Sequence, residues 1–123
     1  MREPLDPAMF AECDEKPSPV RIGDKWTAKI LICLRDGPRR FSELRGPLPR
    51  VTAKVLTESL RAMERDGLIT RTVYPQLPMR TEYELTALGR SLFEPMFAGC
   101  AWTRSHGAEL ADARQAYALR AIP

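Results

Sequence analysis

One histidine, His106, and three widely separated cysteines, Cys13, Cys33 and Cys100, are all this chain offers for metal or thiol chemistry. Nothing stands at metal-ligand spacing from His106, so the sequence argues against a zinc site. An odd number of cysteines in a chain with no export signal argues equally against a disulfide framework. There is no glycine-rich phosphate loop, and no nucleophile sits beside a plausible base. Glu82 and Glu84 fall two apart and read as same-face acids of an exposed strand, so the sequence predicts neither a cofactor nor catalysis. No apolar run approaches the roughly 18 residues of a membrane-spanning helix. The opening stretch MREPLDPAMFAECDEK lacks the basic-then-apolar layout of a signal peptide, so the expectation is a cytoplasmic protein with no membrane partner.

What is present is one domain's worth of chain, 123 residues with 44% hydrophobic and 28% charged side chains. A chain of this size buries a real core, and a second copy would help complete it. The net charge is only +3, but it is unevenly spread. Residues 1–24 hold three basic and six acidic side chains, whereas residues 38–74 hold eight arginines and lysines against four acids. A positive block of this kind is either a solvated face or the footprint of an anionic partner.

Four prolines in the first 20 residues predict an irregular arm with at most one short helix, over residues 8–13. The run IGDKWTAKILICLRDG places Trp26, Ile30, Cys33 and Leu34 at helical spacing and closes on Asp36-Gly37-Pro38. After a short extended piece at residues 39–41, Ser42 is the predicted N-cap of FSELRGPL, with Leu44 and Leu48 turned inward. Thr52 caps the next predicted helix, AKVLTESLRAMERDG, whose apolar stripe is Val55 or Leu56, Leu60 and Met63 and whose αL terminator is Gly67.

Residues 68–74 and 80–85 alternate and are rich in β-branched and aromatic side chains, which predicts an antiparallel hairpin around the loop PQLPM. Thr86 then caps a helix through Leu88, Leu92, Met96 and Cys100, which Pro95 must kink or restart. A further helix, AELADARQAYALRAI, offers Leu110, Tyr117 and Leu119 for packing.

Two helices across a tight turn, the second longer, N-capped and polar on one face, form a helix-turn-helix, and the hairpin after them is a wing. The expected fold is therefore mainly α with a small β-hairpin, a winged helix-turn-helix flanked by N- and C-terminal dimerisation helices. On this reading Thr52, Ala53, Lys54, Thr57, Glu58 and Arg61 face a major groove. Arg39, Arg40, Arg45 and Arg50 are backbone candidates, and Arg71, Tyr74 and Arg80 of the wing are suited to phosphate contact. Proline in the wing tip reduces the entropy lost when the loop orders on DNA.

The series IGDKW, DGPRRFSEL, LTESLRAMERDGLITR, VYPQLPMRTEYELT and ELTALGRSL resembles the HxlR-type regulators of bacteria, relatives of the MarR group, across roughly residues 20–102. The resemblance implies a homodimer on a palindromic double-stranded DNA operator, and hence a nucleoid-associated location. It divides the chain into an arm (residues 1–19), a winged core (20–85) and dimerisation helices (86–123). It also implies control by a small-molecule effector or by a redox signal. Cys13 lies nine residues before Ile22, where the family carries a cysteine that senses oxidants in some members, which makes Cys13 the candidate sensor. Here Asp14 and Glu15 follow it in place of the usual proline, and adjacent acids disfavour a thiolate. Two rivals to plain DNA binding remain: a regulator that is chiefly a thiol switch, and a winged-helix adaptor that binds protein.

Overall fold

The computed structural model describes residues 3–11, 26–48 and 50–121. Cys13, the first four residues of IGDKW and most of the N-terminal arm lie outside the described residues. In the part of the arm that is described, Asp6 caps a single 3-10 turn, Pro7–Phe10, one residue ahead of the predicted start.

Helix α1, Thr27–Cys33, buries Ile30 and Leu31, and a turn follows it in which Leu34 is also buried. The helix ends three residues before the predicted Asp-Gly-Pro stop, because Leu34 already leaves helical geometry. A two-residue strand β1, Arg39–Arg40, leads into the short helix α2, Phe41–Arg45, which buries Leu44. Ser42 is not the N-cap. Arg40 takes that position with extended backbone (φ −79°, ψ 161°), and its N–H donates to Glu43 Oε1 at 3.0 Å. Arginine has no side-chain acceptor, so Glu43 alone completes the cap from the third helical position.

Helix α3, Ala53–Arg65, follows the expected pattern. Thr52 Oγ1 accepts from the Val55 N–H at 3.1 Å, and Leu56, Leu60 and Met63 form the buried stripe. At the other end Gly67 adopts φ 75°, the Leu68 N–H reaches the Met63 carbonyl at 2.9 Å, and the Gly67 N–H reaches Glu64 at 3.0 Å. These two bonds make a Schellman closure, with Leu68 and Met63 as its buried apolar contact.

The chain then forms β2, Ile69–Tyr74, and β3, Arg80–Leu85, joined by residues 75–79. The sheet has three strands in the order β1-β3-β2, all antiparallel, with Arg39 opposite Tyr83 and Tyr74 opposite Arg80. The expected hairpin therefore gains a third strand. That places Glu82 and Glu84 on the central strand, where Glu82 is half-buried and only Glu84 is exposed.

Thr86 caps α4, Ala87–Arg90, by accepting from the Gly89 N–H at 3.0 Å, and its hydroxyl donates to the Gly67 carbonyl at 2.6 Å. The break that Pro95 was expected to impose falls at Ser91 and Leu92. Helix α5, Phe93–Ala121, starts there with Pro95 in its first turn, where a missing N–H costs nothing. The start of the first predicted helix is the separate α4, and its remainder joins the second predicted helix in this one uninterrupted helix of 29 residues. Only Met96 of α5 is buried, while Tyr117 and Leu119 are exposed and do not pack on the core.

Candidate nucleic-acid interface

The core beneath the helix-turn-helix is built from leucines at 0–3% exposure, Leu44 and Leu48 from the α2 segment and Leu56 and Leu60 from α3. Burying each is worth about 1.5–3 kcal/mol, which fixes the opposite face of α3 outward. Lys54, Glu58 and Arg61 are exposed on that face, together with Thr52 and Ala53 at the start, and Thr57 is half-buried. Positions 54, 57, 58 and 61 follow the i, i+3, i+4, i+7 rule, so the structure brings them into one stripe.

The arginines divide into two groups. Arg39 Nη1 lies 3.2 Å from Glu43 Oε2, Arg71 Nε 3.5 Å from Glu64 Oε1, and Arg80 Nε 3.5 Å from Glu82 Oε1. The guanidinium of Arg80 also covers the Tyr74 ring at 4.3 Å from its centroid. The Nε of Arg80 is buried without a hydrogen bond, so its attachment to Glu82 is electrostatic. Each wing arginine is therefore already matched by an acid. Among the described residues no acid pairs with Arg40, Arg45, Arg50, Lys54 or Arg61. These five unpaired cations run from the end of β1 through α2 and the turn after it into α3.

The Arg80–Glu82 match was legible in the sequence, since residues two apart share a strand face. The Arg71–Glu64 match joins a helix to a strand and had no local signal. Between Tyr74 and Arg80 the wing tip carries no charge, and Leu77 is fully exposed with Met79 at 70%.

Three perturbed groups lie close to this surface. The N–H of Arg40 and the guanidinium of Arg39 both donate to Glu43 and lower its pKa. Burial raises the Cys33 thiol, with Arg39 a smaller opposing influence. Burial also raises the Tyr83 hydroxyl. Cys33, Arg39, Glu43 and Pro47 line an open cavity of about 480 Å³.

A short helix, a turn, an N-capped helix with a polar outer stripe and a three-stranded sheet beside it define the class of winged helix-turn-helix transcriptional regulators. The model of the HxlR-like helix-turn-helix family matches residues 21–110. The chain belongs to that family and is a transcriptional regulator with a helix-turn-helix DNA-binding domain. It is 41% identical over 95 residues to an HTH-type transcriptional regulator of Methanothermobacter thermautotrophicus, covering 77% of this chain and 72% of that one. With YtcD of Bacillus subtilis the identity is 47% over 85 residues, 69% of this chain and 68% of that one. A solved ytcD structure superposes with TM-score 0.63 at 46% identity, over 69% of this chain and 87% of its own. The redox regulator HypR in its reduced form superposes with TM-score 0.66 at 37% identity, over 74% and 90% of the two chains.

Proposed function

We propose that two copies of this chain bind an inverted-repeat operator in double-stranded DNA, with α3 of each copy in a major groove. The observation that carries the reading is a local cluster of charge: Arg40, Arg45, Arg50, Lys54 and Arg61, none paired with an acid among the described residues, fall between β1 and the middle of α3. Lys54 has the chemistry to bind guanine O6 and N7, and Thr57 and Glu58 complete the base-facing stripe, with Arg61 toward the backbone. Arg40, Arg45 and Arg50 supply phosphate contacts, and Arg39 contributes through the free side of a guanidinium shared with Glu43. In the wing, Arg71 and Arg80 act first as struts and add less to affinity than the unpaired group.

Dimerisation is supported by α5. A helix of 29 residues extends about 43 Å, well beyond the domain that buries its Met96, and it exposes Phe97, Trp102, Tyr117 and Leu119. A second copy would cover that surface and hold two α3 helices roughly 34 Å apart. The cavity beside Cys33 gives a small-molecule effector a place next to β1 and α2, where binding would shift the α2 segment. A Cys13 switch draws support from the likeness to the HypR redox regulator.

The test is fluorescence anisotropy of the native chain and Lys54→Ala on the intergenic DNA beside the protein's own gene, at two salt concentrations. Salt-sensitive binding tighter than to random DNA, and weakened by Lys54→Ala, is the expected result. Native binding no tighter than to random DNA at both salts contradicts the reading and favours the protein adaptor.

A further inference from the structure

The chain passes from α2 into α3 through Arg50, whose φ of 74° lies in the left-handed region. Glycine enters this region freely and asparagine or aspartate tolerate it, but arginine pays a steric penalty between Cβ and the backbone. At every other positive-φ position among the described residues, Gly37 and Gly67, the chain does use glycine. Arg50 is exposed, and among the described residues no acid pairs with its guanidinium. Among the described residues, no hydrogen bond or ion pair of its side chain therefore explains an arginine at a position suited to glycine. The residue stands two places ahead of the Thr52 cap of α3, in the segment whose other cations, Arg40, Arg45 and Lys54, are also unmatched.

We propose that Arg50 is a phosphate-positioning residue. Its guanidinium grips a backbone phosphate at the edge of the groove that α3 enters, and the strained turn is the stability given up for that contact. The inference rests on the DNA-binding reading above and adds a specific exchange of fold stability for affinity at one side chain.

A phosphate contact is sequence-independent, so a generic 30-base-pair duplex is a sufficient probe. Thermal melts and anisotropy across a salt series are measured for the native full chain, Arg50→Gly, Arg50→Ala and Arg50→Lys. Arg50→Gly is expected to melt about 4 °C higher. It is also expected to bind about five-fold more weakly near 0.1 M salt, with a log–log salt slope shallower by about 0.9. Arg50→Ala loses the same affinity without the gain in Tm, and Arg50→Lys keeps the native slope. An Arg50→Gly melting point no higher than native, or a slope equal to native, overturns the proposal. If the native chain binds no duplex, the DNA reading fails and takes this inference with it. If native binds and Arg50→Gly matches it, only the role of Arg50 is lost.

Discussion

Glu64 on α3 and Arg71 on β2 face each other across the junction of helix and wing, with Oε1 and Nε 3.5 Å apart. The bridge is about half exposed, so it contributes at most about 1 kcal/mol to folding. Its larger effect is electrostatic, because it removes one cation from the surface that meets DNA. Glu64→Ala should therefore strengthen binding to a generic duplex and steepen its salt dependence, by freeing Arg71 and deleting a negative charge. Arg71→Ala should weaken binding less than Lys54→Ala does. Salt-series anisotropy on the three variants checks the order, and Glu64→Ala binding more weakly than native would refute it.

Thr52 holds the first turn of α3 through a single side-chain acceptor. Thr52→Ala should cost about 1 kcal/mol, a fall of roughly 4–8 °C in Tm for a domain of this size, and Thr52→Ser should restore most of it. Thermal unfolding followed by circular dichroism measures both. Equal melting points for Thr52→Ala and Thr52→Ser would show that the cap is idle.

Gly89 is buried where α4 docks on the start of the wing, and a Cβ there would overlap the Leu68 carbonyl oxygen. Backbone cannot yield as a flexible side chain can. Gly89→Ala is expected to destabilise by about 3 kcal/mol. Gly99→Ala, in open space on α5, should be neutral or slightly stabilising. Chemical denaturation of the pair gives the comparison, and a mild Gly89→Ala would mean that α4 can move off Leu68.

The thiols should differ in reactivity. Cys33 is half-buried with its pKa raised, so it stays protonated at neutral pH, whereas Cys100 is exposed. Alkylation at pH 7.5, resolved by peptide mass spectrometry, should reach Cys100 well before Cys33. The raised pKa values of Cys33 and Tyr83 also set the sign of a pH effect, because both groups hold their protons more tightly when folded. The stability they contribute is full below their unfolded pKa values and is lost as pH rises through the alkaline range. Melting points that stay constant from pH 8 to pH 11 would contradict this.

Much of this was legible in the residues themselves. Thr52, the Leu56-Leu60-Met63 stripe and Gly67 carry local signals of capping, periodicity and positive φ, and the structure reproduces them. Other features depend on distant partners or on residues of the wrong type. The pairing of Arg39 with Tyr83 is nonlocal, so β1 read only as an extended piece. Ser42 is a good cap by type, yet Glu43 caps better from within the helix and moves the start to Arg40. Arg50 occupies a left-handed turn with no glycine to announce it. In the long α5 the apolar side chains follow no single stripe that would have marked it as one helix, and proline at its third position resembled a break. For Arg71 the sequence supplied the positive charge, but only the fold shows that Glu64 already matches it.

The most direct test of the central claim, that two α3 helices read one operator, is selection of bound duplexes from a random DNA library with the native chain, followed by hydroxyl-radical protection on the winner. The expected result is an inverted repeat whose half-site centres lie about one helical turn apart, protected on one face of the duplex. Lys54→Ala should lose base preference at the same position in both halves. A selected sequence without two-fold symmetry, or a native chain that enriches nothing over random DNA, would contradict it.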